Sequence, residues 1–452
     1  MKTSDLVEWF YGNLDLIEEC RQNGSKPIVL VGGASSSGKS YLSTKLKEFL
    51  AQNGYNSVII STDSYNKGIS ENIFDIVNKK YYNGKIKYKP LIVKKIKNII
   101  QDSKFEDKFC ENNLLKIKSE CQNLLNAEPN TFLKRMKYEF EHINFDQKSI
   151  YDLTNAQTDL LKLANNQTIT EPIYSKMISE RIKSDKIIDG KNLDVIIVEG
   201  IYALDKNITS GLNKNTVIKN YIDCNHKNLF LRRMIRDSKI TDCPMSFILK
   251  NYLDYVAPEY INTVLPYRKD ADFVFVNNMT LQELRTGDTT TQQKYLIDVE
   301  ILKEILKTFK LKNKIYQIDT YFGDKSDNNI LRLREEGTNK DGLRLSSLTY
   351  KGTPKVRKDK KNIRVEHTLA SGDDLKNIFE SKQQLVEQFK DIGLDVCKTI
   401  KKERWQLESN NQQIKIDFYK AKIFVEVDDM IENELTELLQ SCKKTNEFVK
   451  EL

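Results

Sequence analysis

The hydrophobic pattern of the chain changes at about residue 280. Before that point, short runs that are apolar along nearly their whole length, such as Ile28–Val31 and Leu193–Val198, alternate with stretches whose apolar residues recur at helical spacing. Such strands, when they alternate with helices, are typical of a parallel sheet covered on both faces. We therefore predict an α/β domain over residues 1–280, with three layers and the parallel sheet in the middle.

One stretch of this domain has a different composition. Residues 69–142 are rich in lysine and poor in glycine, and they carry helical periodicity in Leu91–Ile100 and Leu114–Leu125. We interpret them as a helical insertion that separates two halves of the α/β domain.

From about residue 290 the pattern has a period of two, which predicts antiparallel strands. Charges that share one face of a strand form the pairs Arg332 and Arg334, Arg364 and Glu366, Lys402 and Arg404, and Glu426 and Asp428. Charges that converge from many strands on one face indicate an antiparallel β-barrel with a polar lumen, a tunnel suited to a highly charged small molecule. A two-layer sheet whose charged face meets water explains the period equally well. We place this domain at residues 286–452.

Composition and charge narrow the classes of function. No run approaches the roughly 20 apolar residues of a membrane span, and the N-terminus does not resemble a signal peptide, so we expect a cytoplasmic protein without a membrane partner. The seven cysteines form no CxxC pair and only three histidines are present, so a bound metal would have oxygen ligands, which suits Mg²⁺. The net charge of +8 is mild, and the basic run Lys355–Lys361 is typical of a solvated hairpin loop, so nucleic-acid binding is disfavoured.

The segment after the first apolar run fits the template GxxxxGK[ST] completely and comprises Gly33, Ala34, Ser35, Ser36, Ser37, Gly38, Lys39 and Ser40. Such a loop joins a buried strand to a helix and turns consecutive backbone N–H groups towards a polyphosphate. Lys39 is expected to reach the β and γ phosphates, and Ser40 to ligate the Mg²⁺ that bridges them. We therefore predict that this loop binds ATP and Mg²⁺; the alternative is a glycine-serine linker.

Two carboxylates follow predicted strands and therefore fall at the same edge of the parallel sheet as the loop. Asp63 is the candidate base that accepts the proton of an attacking hydroxyl group, and Glu199 is a candidate Mg²⁺ ligand. As alternatives, Asp63 caps a turn and Glu199 begins one.

Three arginines, Arg232, Arg233 and Arg236, lie on one predicted helix. At spacings of three and four residues they can share a side of the helix and close over phosphates as a lid. A surface helix with salt bridges, for instance to Asp237, is the alternative.

These segments resemble the uridine kinase and phosphoribulokinase family. The likeness rests on GGASSSGKS, STDSYNKG, HINFDQKSIYD, EPIYSKMISER, VIIVEGIYAL, LFLRRMIRD and APEYINTVLPYRKDADFVFV, and it covers residues 28 to about 277 apart from the insertion. The resemblance implies ATP-dependent phosphorylation of a hydroxyl group, with catalytic roles for Lys39, Asp63 and the three arginines. It also implies that the acceptor is bound by Tyr65, Asp152, Tyr174 and Arg181. Ser175 and Ser179 stand where uridine kinases carry an Asp and a His, so the acceptor is left open.

The second half resembles the CYTH superfamily, the triphosphate tunnel metalloenzymes, through YQIDTYFG, LRLREE, LTYKG, IRVEHTL, KKERWQL, IKIDFYK and FVEVD, in that order. This resemblance favours the barrel. It implies that tunnel cations bind phosphates, namely Lys294, Arg332, Arg334, Lys351, Arg364, Lys402 and Arg404. It implies that carboxylates hold a divalent metal, Mg²⁺ or Mn²⁺, namely Glu366, Asp417, Glu426 and Asp428. Thr290 and Gln292 stand where the family's opening ExExK motif has glutamates.

Three hypotheses about function follow. The first is a kinase that transfers phosphate from ATP to a hydroxyl acceptor and whose tunnel domain binds a polyphosphate-type ligand. The second is a pyrophosphatase or triphosphatase that acts in the tunnel, with the nucleotide-binding domain as a regulator, since fused members known from plants are associated with pyrophosphate hydrolysis. The third is a binding module that nucleotides regulate without turnover. A homo-oligomer is compatible with each of them.

Overall fold

The computed structural model of the protein divides into two compact units, Met1–Met279 and Thr280–Leu452. The structure describes residues 3–241, 243–278, 288–290, 293–323, 330–352, 355–356, 362–409, 412–427 and 433–445. Within these ranges it describes no side chains for residues 3–4, 288–290, 355–356, 362–364, 433–434, 436 and 443–445.

The first unit is built around a parallel sheet. Its strands are β1 (Ile28–Gly33), β2 (Ser57–Ser61), β3 (Thr168–Thr170), β4 (Ile173–Ser175), β5 (Glu180–Ile182), β6 (Ile187–Asp189), β7 (Val195–Glu199), β8 (Val217–Asp223) and β9 (Phe273–Val276). Five of them pair in parallel in the order β2-β7-β1-β8-β9. The short strands form two separate antiparallel pairs, β3 with β6 and β4 with β5.

Helices cover both faces of this sheet. The helices of the unit are α1 (Thr3–Gln22), α2 (Lys39–Gln52), α3 (Ile69–Tyr82), α4 (Lys89–Ile100), α5 (Glu111–Cys121), α6 (Pro129–Glu141), α7 (Leu153–Ala164), α8 (Lys206–Thr209), α9 (His226–Ile240), α10 (Met245–Asn251) and α11 (Ala257–Glu259), of which α3 to α6 belong to the insertion. Alternate residues of β1 face opposite ways: Val29 packs with Leu46 of α2, and Leu30 packs in the core that contains Leu160 of α7. The predicted three-layer parallel architecture is therefore confirmed.

The predicted insertion is helical and comprises α3 to α6. Its apolar faces form a core of their own, in which Phe74, Ile96, Ile117, Phe132 and Met136 are all buried. The helical periodicity of the sequence therefore reports packing within the insertion itself.

The second unit is an antiparallel sheet with helices on its outside. The strands are β10 (Asp288–Thr290), β11 (Gln293–Ile297), β12 (Lys310–Phe322), β13 (Ile330–Gly337), β14 (Arg344–Lys351), β15 (Lys355–Val356), β16 (Asn362–Ser371), β17 (Val396–Ser409), β18 (Gln412–Tyr419), β19 (Lys422–Val427) and β20 (Lys443–Thr445). The helices are α12 (Val299–Thr308), α13 (Gly372–Ile378), α14 (Lys382–Asp391) and α15 (Asn433–Gln440).

This sheet closes into a barrel. From β16 the order runs β14-β13-β12-β17-β18-β19, and the consecutive strands β10 and β11 pair with β16 and β19, the two ends of that series. Ile305 of α12 and Leu439 of α15 cover outward-facing residues of β17 to β19. The charged residues on the other face, such as Lys402 and Asp417, are buried. The alternative of an open sheet with a solvated charged face is therefore wrong.

No helix in the described part of the chain is both long enough and apolar enough to cross a membrane.

Candidate functional sites

The loop between β1 and α2 has a backbone that only glycine can adopt at two positions. Gly38 has φ +99°, and a Cβ atom there would lie 2.2 Å from Nδ2 of Asn277. Gly33 has φ +137°, and its Cβ would lie 2.4 Å from the carbonyl oxygen of Ile222. Asn277, at the end of β9, donates to the carbonyl oxygen of Ser37 at 2.8 Å. The loop is thus held at the N-terminus of α2, where a phosphate is favoured by backbone N–H groups and the helix dipole.

Lys39, Ser40 and Glu199 meet at the edge of the sheet where β1, β7 and β2 end. Ser40 Oγ donates to Oε2 of Glu199 at 2.9 Å, and Ser61 Oγ donates to the other carboxylate oxygen. The ammonium of Lys39 donates to the carbonyl oxygen of Ala34 at 2.6 Å. Parallel pairing of adjacent strands brings these residues together, as the sequence predicted from their positions after strands.

The charges of this cluster favour a cation bound between the carboxylate of Glu199 and a phosphate. Burial, together with the nearby carboxylate of Asp63, raises the pKa of Glu199. Burial lowers the pKa of Lys39 to about 8, although Glu199 and Asp63 oppose the change. The hydroxyl group of Ser40 and the carboxylate of Glu199 are hard oxygen donors of the kind that Mg²⁺ prefers. These residues therefore fit the predicted metal.

Asp63 lies in a short 3₁₀ turn, Thr62–Tyr65, directly after β2. Ser61 caps that turn by accepting a hydrogen bond from the backbone N–H of Asp63, so Asp63 is not the capping residue. Its carboxylate instead pairs with the ammonium of Lys176, at 2.7 Å. Burial raises the pKa of Asp63, but Lys176 and, to a lesser degree, Lys39 outweigh it and bring the pKa to about 2.

The three arginines of α9 have different partners. Arg232 is buried and donates to the carbonyl oxygens of Ser36 and Ser37 at 3.2 Å. These hydrogen bonds help to hold the backbone of the P-loop in place. Arg233 donates to Ser35 Oγ at 2.6 Å and to Asp146 at 3.0 Å.

Arg236 is the most exposed of the three, and its guanidinium lies 3.4 Å from Ser35 Oγ. Arg233 and Arg236 also pair with Asp237, as the surface-helix alternative suggested, although burial of Arg232 and Arg233 excludes a surface helix. A direct phosphate contact by the three arginines stays a prediction.

The residues implied in acceptor binding lie beside Asp63 with their polar groups mostly engaged. The hydroxyl group of Tyr65 points away into the core and donates to Asp159 at 3.1 Å. Asp152 caps α7 through the N–H of Asn155. Arg181 donates to the carbonyl oxygens of Tyr65 and Asn66 and so braces the segment that follows Asp63.

Burial raises the pKa of Tyr174; a hydrogen bond with Ser179 opposes the change, and the carboxylates of Glu180 and, to a lesser degree, Asp63 add to it.

In the second unit, the lumen contains a network of ion pairs centred on Asp417. Arg404 donates two hydrogen bonds to this carboxylate, at 2.6 and 2.8 Å, and Lys402 donates a third at 3.0 Å. Glu426 accepts from Arg404 at 3.0 Å and pairs with Lys294 at 2.8 Å. Four strands thus contribute to one buried network.

A second group of lumen charges is centred on Asp319. Arg334 donates to it twice, at 2.6 and 2.7 Å, and Arg332 lies 4.0 Å away. Arg332 also pairs with Glu366 at 3.5 Å, and Lys351 pairs with the same carboxylate at 3.0 Å. The barrel therefore brings together every predicted lumen residue whose side chain the structure describes. Asp428 and the side chain of Arg364 lie outside the described residues.

Among the described side chains, lumen cations outnumber lumen carboxylates. Burial in the first place, together with Arg404 and Lys294, lowers the pKa of Lys402 to about 7 even though Asp417 opposes it. Burial and the neighbouring Arg332 lower the pKa of Lys351 to about 8. An anionic ligand would relieve this excess of positive charge.

The lumen carboxylates that were predicted to hold a metal contact neighbouring cations. Glu366, Asp417 and Glu426 are each paired with at least two cations. In the residues that the structure describes, no group of three or more acidic, His or Cys side chains is arranged to hold a metal ion. Metal binding by the lumen stays a prediction.

Sequence reasoning missed four residues of these sites: Asp146, Lys176, Asn277 and Asp319. Asp319 alternates with Gln317 and Tyr321 along β12, so the period-two argument applied to that strand would have found it. The other three lie far along the chain from the residues they contact. Asp146 and Lys176 fall within the segments HINFDQKSIYD and EPIYSKMISER, which do not by themselves reveal those contacts.

The parallel sheet, the glycine-dependent loop and the helix that follows it define the first unit as a P-loop protein. The chain matches the model of the phosphoribulokinase/uridine kinase family over residues 92–285, and the CYTH domain model over residues 293–451. The uridine kinase of Macrococcus caseolyticus strain JCSC5402 is 31% identical over 150 residues, which are 33% of this chain and 68% of that protein. The uridine kinase of Staphylococcus aureus strain JH9 is 32% identical over 131 residues, 29% of this chain and 61% of the relative.

The chain therefore belongs to the phosphoribulokinase/uridine kinase family, and a CYTH domain follows in its second unit. Two solved structures are also similar. The YGR205w protein covers 60% of this chain and 94% of its own, at 14% identity and a TM-score of 0.36. The PH1819 protein from Pyrococcus horikoshii OT3 covers 34% of this chain and 84% of its own, at 20% identity and a TM-score of 0.25.

Proposed function

We propose that the first unit transfers the γ-phosphoryl group of ATP to a hydroxyl group of a small acceptor, with Mg²⁺. The observation that carries the proposal is the convergence of Lys39, Ser40, Glu199 and Asp63 at the edge of the sheet where the P-loop ends β1. Family membership supports the same class of reaction. We propose that the reaction takes place in the cytoplasm.

Each of these side chains has a defined part in the reaction. Lys39 exchanges the carbonyl oxygen of Ala34 for phosphate oxygens, and Ser40 and Glu199 would hold the metal. When bound, Mg²⁺ neutralises phosphate charge and orients the γ-phosphoryl group. The acceptor oxygen forms a bond to the γ phosphorus while the bond from that phosphorus to the β–γ bridging oxygen breaks, and ADP leaves. Asp63 takes the proton of the acceptor hydroxyl group.

Transfer from labelled ATP tests the kinase proposal directly. The full-length protein is incubated with Mg²⁺, [γ-³²P]ATP and a panel of nucleosides, sugars and sugar phosphates, and labelled products are separated. We expect transfer to at least one hydroxyl compound, and loss of transfer in Lys39→Ala. Lys45→Ala removes a lysine of the same helix whose ammonium pairs with Glu48 and lies over the ring of Tyr41, and it should retain activity. No transfer to any acceptor would refute the proposal.

A second candidate function belongs to the lumen of the second unit. We propose that it binds a polyphosphate-type ligand and hydrolyses it, because buried cations converge there in excess of carboxylates. Phosphate release from pyrophosphate or tripolyphosphate should persist in Lys39→Ala and disappear in Arg334→Ala. Arg344→Ala, which removes an exposed arginine from the start of β14, serves as control. Turnover by neither unit would leave regulated binding as the function.

A further inference from the structure

Lys176 covers the candidate base of the first unit. It lies in the turn between β4 and β5, and its ammonium is 2.7 Å from Oδ2 of Asp63. Both side chains keep contact with solvent, with 43% of Lys176 and 37% of Asp63 exposed, so the pair lies at the open side of the site. A hydroxyl group that delivers its proton to Oδ2 of Asp63 must take the place of this ammonium, and one that approaches Oδ1 comes to lie beside it.

The hairpin that carries Lys176 is fixed to the segment that carries Asp63. The N–H of Ile69 donates to the carbonyl oxygen of Ser179 at 2.8 Å, and the N–H of Ser70 donates to Glu180 at 2.9 Å. Arg181 donates to the backbone carbonyl oxygens of Tyr65 and Asn66. Lys176 is therefore positioned at the site by the fold, and its contact with Asp63 is not a chance meeting of two mobile surface side chains.

The positively charged groups around Asp63 favour a negatively charged ligand. Besides Lys176, the ammonium of Lys39 and the guanidinium of Arg236 act on Asp63 from the P-loop and from α9. A neutral acceptor that displaced the ammonium of Lys176 from Oδ2 would leave it to solvent, with no anionic partner. An anionic acceptor would give that ammonium a new partner while its hydroxyl group reaches the carboxylate.

We propose that Lys176 selects the acceptor, and that the acceptor carries an anionic group that takes the ammonium of Lys176 away from Asp63. The inference rests on the proposed kinase function and adds to it the charge class of the substrate. The anionic group is a phosphate monoester or a carboxylate. Departure of Lys176 also makes Asp63 a better proton acceptor, because Lys176 is the main partner that lowers the pKa of this carboxyl group. The base therefore becomes effective when the correct acceptor binds.

Equilibrium binding tests this inference without requiring turnover. Titration calorimetry on the full-length protein, with Mg²⁺ and a non-hydrolysable ATP analogue, would compare D-ribose 5-phosphate, D-glycerate and neutral D-ribose. The variants are Lys176→Met, Lys176→Arg and Lys183→Met. Lys183 is a matched control because it lies just beyond the same hairpin, is 88% exposed and pairs with Asp185. A fourth variant, Lys351→Met, reports anion binding by the lumen of the second unit.

We expect one of the two anions to bind at least tenfold more tightly than ribose. Lys176→Met should raise the Kd for that anion about tenfold or more, whereas Lys176→Arg and Lys183→Met should change this Kd less than threefold. The inference is overturned if ribose binds as tightly as the anions, or if the Lys176→Met variant binds the anions as tightly as the wild type does. It is also overturned if, among the variants, only Lys351→Met weakens the binding of the anions. The same anion is then offered with labelled ATP. Binding that depends on Lys176 without phosphoryl transfer would refute the kinase proposal while the anion site stands.

Discussion

The lumen of the second unit offers a quantitative test through Asp417→Asn. Asp417 is 1% exposed and accepts hydrogen bonds from Arg404 and Lys402, with Lys294 at 3.4 Å. The amide keeps the volume of the side chain but removes its charge and replaces one acceptor oxygen with a donor. Arg404 and Lys402 then remain buried with less compensation, and Glu426 is the nearest carboxylate left to pair with Arg404.

Removing one partner of a buried ion pair typically destabilises a protein by about 3 to 5 kcal/mol. The second unit spans Thr280–Leu452. For domains of this size, 1 kcal/mol shifts the Tm by roughly 2 to 4 °C, so we expect the Tm of this unit to fall by about 6 to 20 °C. Tripolyphosphate should restore part of the loss, because its charges replace that of the missing carboxylate.

The assay uses the two tryptophans of the chain, Trp9 in the first unit and Trp405 in β17 of the second. In a Trp9→Phe background, fluorescence reports unfolding around Trp405 alone. Asp373→Asn is the control, since Asp373 is 91% exposed and pairs only with Lys376 in the described contacts. If Asp417→Asn and Asp373→Asn shifted the Tm equally little, the carboxylate would not stabilise the lumen and our reading of the charge network would be wrong.

Three further predictions concern the P-loop site. Asp63→Asn should lower kcat by about 10²- to 10⁴-fold in the transfer assay without weakening ATP binding in calorimetry; equal loss of both would contradict a role as base. Burial lowers the pKa of Lys39 to about 8, so this side chain loses its charge above that pH. The Kd for ATP should therefore rise by up to tenfold per pH unit above pH 8. Lys39→Arg, which stays charged, should show a Kd that does not change over the same pH range. Gly38→Ala should weaken ATP binding at least tenfold, since its Cβ would lie 2.2 Å from Asn277 Nδ2; Gly54→Ala has a similar positive φ but open space around the new methyl group, and should lose only about 1 to 2 kcal/mol of stability and no ATP affinity.

Much of the first unit could be predicted because its signals are local. The interval between Gly33 and Gly38-Lys39 identifies the loop, and the position of Glu199 at the end of an apolar run places it at the same edge of the sheet. The partners of α9 could not be predicted in this way. Helical spacing shows that Arg232 and Arg236 can share a side, but it does not reveal that Arg232 is buried against the carbonyl oxygens of the P-loop.

The period-two charges of the second unit were consistent with a barrel or with an open sheet, because side-chain alternation is the same in both. Closure depends on pairing between strands distant in the chain, β10 with β16 and β11 with β19. Once closed, the barrel buries Arg404 and Asp417 together, and their interaction is then far less screened by water than on an exposed sheet.

The sequence by itself determined the elements of this protein: the strand-loop-helix that begins at Ile28, the helical insertion, and the alternation of charged and apolar residues after residue 290. These depend on neighbours along the chain, where the spacing of helices and strands is fixed by backbone geometry. Only the tertiary structure decided which side chains meet, including Lys176 on Asp63 and Asp319 on Arg334. Such contacts join residues far apart in sequence, and their strength depends on burial, which no local pattern records.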